Sequence, residues 1–221
     1  MYESYFHFDQ LPFENTPDPT FFYGSEQHRE ALAALVYGVR QFKGFMLVTG
    51  DVGTGKTLLA QSLKHELDNT EEISKTIVIQ ISNPWISHSE LFQELAYRLG
   101  IRDHQDYSTI EAQKVIQREL LTVFEEKGRV ILILDEAQQI PEKTLEGVRL
   151  LSNMEVPQAK LVQIILLGQT EFNDILTRHS MRQLRQRVTL SRRLEPLGLD
   201  DTIGYIDHRI HIAGAEQNPA E

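Results

Sequence analysis

The 221-residue sequence has no cysteine and a single tryptophan. Without cysteine there is no disulfide framework, no thiolate metal site and no thiol nucleophile. That fits a reducing cytosol. No apolar run approaches the ~20 residues a membrane-spanning helix needs; the longest, VILIL and IILLG, are strand-sized. The N-terminus MYESYFHFDQ lacks the basic and apolar stretches of a signal peptide. Positive charge is in deficit, with 22 Lys and Arg against 32 Asp and Glu, a net charge of −10. Such a chain repels nucleic acid and anionic lipid as a whole, so contact with either needs a local basic patch. What is present is 41% hydrophobic and 24% charged, the composition of an ordinary soluble globular protein with ample apolar material for a core, and the length suits one large domain, or one domain with a small appendage.

Residues 1–24 are rich in aromatics and proline and do not read as helix. They read as an extended segment pinned elsewhere by Phe6, Phe8, Phe13, Phe21, Phe22 and Tyr23. Ala31, Leu32, Leu35 and Val39 then recur at helical spacing. GFMLVTG reads as a buried strand, KTLLAQSLKHEL as a helix and KTIVIQIS as a second strand. Ser87 with Glu90, and Ser108 with Glu111, form capping boxes that open two helices, stopped by Gly100 and Gly128. RVILILDE is a third strand, and Pro141 opens a helix running to Leu151. KLVQIILLG is a fourth strand, residues 171–178 a short helix and RVTLSRRLEPL a fifth strand. A last helix runs from Asp200 to Ala213 and stops at Gly214. Strands alternating with helices imply an α/β fold with a parallel sheet covered on both faces. All five strands read as mostly continuous apolar runs.

Gly50, Gly55, Lys56 and Thr57 match G-x-x-x-x-G-K-[ST], with an extra glycine at Gly53. A predicted strand precedes the match and a predicted helix follows it, the context a phosphate loop requires. Glycines let the backbone wrap round phosphates, and the amides of a helix N-terminus point inward. Gly50, Asp51, Val52, Gly53, Thr54, Gly55, Lys56, Thr57 and Leu58 are therefore the expected nucleotide contacts. Lys56 is expected to reach the β- and γ-phosphates, and the Thr57 hydroxyl to ligate Mg²⁺. The Asp51 side chain is expected to point to solvent. VILILDE ends in Asp135 and Glu136 at the C-terminal edge of a strand, where open α/β sheets bind ligands. Asp135 can hold Mg²⁺ directly or through water, and Glu136 can polarise an attacking water. The strand over 76–82 lies between the two motifs in the chain, an arrangement of hydrolysing NTPases with an inserted central strand. Gln169 follows the fourth strand and can touch the γ-phosphate or the water, or else cap the next helix.

Residues 178–193 hold six arginines and no acid. They read as an arginine finger for a neighbouring subunit, as a nucleic-acid patch, or as a solvated face. Arg187 stands directly before the fifth strand, on the rigid base a finger needs. His208 and His211 have helical spacing for a metal, but with no third ligand in view they read as surface residues.

With these residues in hand, the chain resembles the AAA+ ATPases of the general secretion pathway protein A type. PFENTPDPTFFYGSEQHREAL, GDVGTGKT, LILDEAQQI, IILLGQTEF and LRQRVTLSRRLEPL all look like that group's motifs, in its order. The resemblance covers essentially the whole chain. It implies a P-loop NTPase of AAA+ type with a five-stranded parallel sheet between helices, divided into a packing segment (1–24), an ATPase core (25–197) and the start of a helical lid (198–221). It implies Mg²⁺-dependent ATP hydrolysis, with Gln169 as first sensor and Arg187 as finger, Arg185 being a second candidate. His28 and Arg29, in HRE, look like the box that lines the adenine pocket in related origin-binding ATPases. ATP-dependent self-association into a full or partial ring is implied, with a secretion or cell-envelope complex as partner. Transposition ATPases share this core, so a DNA-associated regulator is the alternative. A cytoplasmic location is implied, or the cytoplasmic domain of an inner-membrane protein if the natural chain runs past Glu221 into an apolar span. The group's second-sensor arginine, in a later Gly-x-Pro-Arg stretch, does not occur in these residues. A fragment of a longer protein and a short form with an altered nucleotide response are both open.

Overall fold

A computed structural model describes residues 8–14, 18–71, 73–102 and 107–214. Phe6 and the last seven residues of the expected lid lie outside the described residues. Seven strands are present among them: β1 (Phe45–Gly50), β2 (Thr76–Ile81), β3 (Arg129–Leu134), β4 (Glu155–Val156), β5 (Ala159–Lys160), β6 (Val162–Gly168) and β7 (Val188–Leu194). The α-helices are α1 (Glu26–Arg40), α2 (Lys56–Asp68), α3 (His88–Arg98), α4 (Thr109–Glu125), α5 (Glu142–Leu151), α6 (Glu171–Thr177), α7 (Arg182–Arg185) and α8 (Leu199–Ile212). Both capping boxes form as read: Ser87 caps α3 with Glu90, and Ser108 caps α4 with Glu111.

Five parallel strands make one sheet in the order β2-β3-β6-β1-β7. Successive strand residues point to opposite faces. Leu132 and Leu134, with Leu166, therefore pack toward α3, α4 and α5, among Phe92, Ile116 and Leu145. Ile131 and Ile133, with Leu167, pack on the other face toward α1 and α2, among Leu35, Leu59 and Leu63. The three central strands β3, β6 and β1 are buried almost throughout.

The structure corrects the sequence reading in four places. β7 is not doubly covered: it is a sheet edge, and Thr189, Ser191, Arg192 and Arg193 on it are exposed. An inserted central strand does separate β1 from β3, as expected, but it is β6; β2, which lies between them in the chain, takes the outer edge. Residues 155–160 form a small antiparallel hairpin, Glu155 opposite Lys160, so the fourth sheet strand starts at Val162. Finally, the arginine segment contains a 3₁₀ turn at His179–Met181 and the short helix α7, anchored by buried Met181 and Leu184.

The N-terminal segment packs on α8. The Asp9 amide donates to the Ala213 carbonyl at 2.7 Å and Gln10 Nε2 to that of Ile212 at 3.3 Å. Tyr23 Oη donates to Asp201 at 3.2 Å, and its ring meets those of Tyr205 and His208. Phe21 is buried as expected, whereas Phe13 stays half exposed. His208 is thus half-buried against Tyr23 rather than on the surface; burial lowers its pKa, and the nearby His211 and Arg209 charges lower it further. Among the described residues no group of three or more His, Cys, Asp or Glu could hold a metal, and no helix is long and apolar enough to cross a membrane.

Candidate nucleotide site

β1 delivers the glycine loop to the C-terminal edge of the sheet. A Cβ on Gly50 would lie 2.7 Å from the Leu194 carbonyl oxygen and 2.6 Å from Thr54 Oγ1, so no side chain fits there. Gly55 has φ +82°, in the left-handed region, and its following residues start α2. The first amides of α2 have no intrahelical acceptor and carry the positive end of the helix dipole. Lys56 Nζ donates to the carbonyls of Gly50 and Asp51, both at 2.8 Å. Burial lowers the Lys56 pKa, while Glu136, Asp135, Asp51 and Glu171 pull it upward. A cation held this way is desolvated and surrounded by acceptors, ready for a stronger anion.

β3 delivers the acids. Thr57 Oγ1 donates to Asp135 Oδ2 at 2.9 Å, so one oxygen from α2 and one from β3 converge. Two neighbouring hard oxygens suit Mg²⁺, which keeps most of its waters and takes few protein ligands. Glu136 follows with φ 51° and ψ 41°, an uncommon backbone state for a residue with a Cβ. Its amide donates to Asp135 Oδ1 at 2.9 Å.

β6 brings Gln169 to the same edge. Gln169 Nε2 donates to Glu136 Oε2 at 3.4 Å, and Gln138 Nε2 donates to the same oxygen at 2.6 Å. Gln138 Oε1 in turn accepts the Gln169 amide at 3.0 Å. Sequence reasoning missed Gln138; its position two residues after Glu136 was the available signal. Asp51 is exposed, as expected, and Thr170 Oγ1 donates to its Oδ1 at 2.8 Å, tying the glycine loop to the residue after Gln169.

His28 is buried, and its Nε2 donates to the Thr54 carbonyl at 2.9 Å, leaving Nδ1 to pair with Ser25 Oγ at 2.6 Å. It lines a cavity of about 380 Å³ with Phe22, Tyr23, Val52, Leu58 and Tyr205. The structure does not bring Arg29 there: its guanidinium donates back to the Gly24 carbonyl and is exposed. A second cavity of about 360 Å³ adjoins the first through Val52, Gly53, Gly55 and Leu58, and is lined by Lys56, Thr57 and Glu136. One end is mainly aromatic and apolar, the other charged. A larger cavity, about 670 Å³, lies between β2 and α3 near Gln80, Gln93 and Tyr97 and carries none of these groups.

Arg187 and Arg185 are not at this edge. Val188, beside Arg187, is level with Phe45 at the start of β1. At about 3.3 Å per residue, the length of β1 puts roughly 16 Å between that level and Gly50. Arg187 Nη2 donates to Asn153 at 2.9 Å, and Arg185 is exposed on α7.

A glycine loop, paired acids on a strand end and a polar amide on the strand between them define a P-loop ATPase fold of AAA type. Residues 39–176 match the family model of the AAA domain, and the chain belongs to that family, whose general activity is ATP hydrolysis. The chain is 35% identical over 217 residues to general secretion pathway protein A of Aeromonas hydrophila, covering 98% of this chain and 39% of that protein. The expected kinship with that group is borne out. Among solved structures, Aeropyrum pernix ORC2 in its ADPNP-ADP complexes aligns with a TM-score of 0.71 at 14% identity, over 93% of this chain and 56% of that one. Cdc6p of Pyrobaculum aerophilum aligns with a TM-score of 0.67 at 15% identity, over 95% and 53%. These two show the fold alone. The chain spans about two fifths of the curated relative and just over half of each solved structure.

Proposed function

We propose that this chain binds ATP and hydrolyses it with Mg²⁺ between neighbouring copies, in the cytoplasm, to drive assembly or remodelling of a secretion or cell-envelope complex. The convergence of Lys56, the Thr57–Asp135 pair and the Glu136–Gln138–Gln169 network at one sheet edge carries this reading. The α2 amides and Lys56 bind the β- and γ-phosphates. Thr57 and Asp135 would hold Mg²⁺, which supplies charge neutralisation of the phosphates. Glu136 takes a proton from the attacking water, and Gln138 and Gln169 fix its carboxylate. The adenine fits between His28, Phe22, Tyr205 and Leu58. Arg187, remote from its own subunit's loop, acts on a neighbour's γ-phosphate, with Arg185 as the alternate.

The secretion role follows from kinship with general secretion pathway protein A. Exposure of Arg182, Arg185, Arg192 and Arg193 supports a second reading, a DNA-associated regulator. Duplex binding that falls steeply with salt would favour it, whereas salt-insensitive or absent binding favours the first. The ATP site is tested by measuring ATP affinity and turnover for the chain and for Lys56→Ala. The parent is expected to bind and turn over ATP, and the variant to lose binding severely. A variant that binds ATP as the parent does would overturn the site.

A further inference from the structure

The nucleotide reading above leaves one buried cation unused. Arg209, on α8, is 8% exposed, and it lines both halves of the nucleotide cavity as well as a third cavity of about 210 Å³ under the N-terminal segment. In the charged half it shares the wall with Lys56, Thr57 and Glu136. Its Nε donates to the Pro12 carbonyl and its Nη1 to Tyr205 Oη at 3.2 Å. The guanidinium lies 4.6 Å from the Phe21 ring centre, 5.6 Å from Tyr205 and 5.9 Å from Phe13. Aromatic faces hold an arginine without neutralising it. Among the described residues the Asp18 charge interacts with it across the cavity but no carboxylate comes within ion-pair distance, and no hydrogen bond leaves Nη2. The nearest acids on the cavity wall are not free substitutes: Asp18 already accepts from the Thr20 amide and hydroxyl, at 2.9 and 2.8 Å, and Glu14 is exposed. A buried cation that no carboxylate among the described residues bonds, beside a loop built for phosphates, is a site for a polyphosphate.

We propose that Arg209 binds the phosphates of the nucleotide from α8, so that bound nucleotide fastens α8 and the N-terminal segment to the glycine loop. The inference rests on the ATP site proposed above. The fastening follows from the shared side chain: Nε keeps the Pro12 carbonyl while the Nη edge meets the phosphate. Asp9 and Gln10, bonded to the end of α8, are carried with it.

The test uses a fluorescent ADP analogue displaced by ATP, ADP, pyrophosphate or adenosine, on the parent, Arg209→Met, Arg209→Lys and Lys56→Ala. Arg209→Met is expected to weaken ATP, ADP and pyrophosphate by about tenfold or more, leave adenosine nearly unchanged, and be partly rescued in Arg209→Lys. Hydrogen exchange of residues 8–14 is expected to slow with ADP in the parent and not in Arg209→Met. A folded Arg209→Met that binds pyrophosphate and ADP like the parent overturns the inference. If that variant does not fold, parent exchange at residues 8–14 that ignores ADP overturns it instead. Lys56→Ala separates the two readings: parent-like ADP affinity there sinks the nucleotide site itself, whereas loss there with none in Arg209→Met sinks only the role of Arg209.

Discussion

Gln138 donates to the Glu136 carboxylate at 2.6 Å while its other amide atom accepts the backbone N–H of Gln169 at 3.0 Å. The side chain therefore bridges the end of β3 to the end of β6 and fixes where Glu136 points. A hydrogen bond to a charged group is worth about 1.5–3 kcal/mol. Gln138→Ala is expected to lower ATP turnover by about ten- to a hundredfold with ATP affinity little changed. Steady-state turnover beside equilibrium binding measures both. A matched loss of affinity would assign Gln138 to binding instead.

Lys56 gives a pH signature. Burial holds its pKa below the usual 10.5, and polyphosphate beside Nζ raises it. Binding then takes up protons between the lowered and the raised values. Above the last phosphate ionisation, ATP affinity is expected to stay level up to the lowered pKa of the free protein and to fall as pH rises through it. Stability without nucleotide runs the other way. The unfolded chain holds the proton more tightly, so the penalty of burying the charge is full below the folded pKa and is relieved as pH rises from there toward 10.5. Calorimetric titration across alkaline pH reads the first effect, and affinity rising with pH in that window would contradict it.

Arg187 is separated from its own glycine loop by the length of β1. A finger acting in trans is worth roughly 10³ to 10⁵ in rate in GTPases. Arg187→Ala is expected to keep ATP affinity and to lose any rise of specific turnover with protein concentration. Mixing it with Glu136→Gln is expected to restore part of the activity, because a mixed interface pairs a sound Glu136 with a sound Arg187. Normal turnover at every concentration moves the finger to Arg185. Lost ATP affinity in dilute protein places Arg187 in its own pocket.

The glycine loop and the Asp135–Glu136 strand end were legible because their chemistry is local: glycines where the backbone bends tightly, acids where a buried strand surfaces. The place of β6 between β1 and β3 was not, because chain order does not fix strand order in a sheet. The hairpin at 155–160 has strands of two residues, too short to show a period. Gln138 escaped because its partners come from two other segments. Arg209 escaped because its burial depends on a segment almost two hundred residues earlier in the chain. It is buried only once Pro12, Phe13 and Phe21 fold over it.

The role of Glu136 in hydrolysis is the centre of the account, and Glu136→Gln tests it most directly. The variant leaves Lys56, Thr57 and Asp135 in place and removes only the carboxylate that takes the proton. ATP binding measured at equilibrium is expected to match the parent, while turnover falls by about 10² or more. A Glu136→Gln protein that hydrolyses ATP at the parent rate would contradict it.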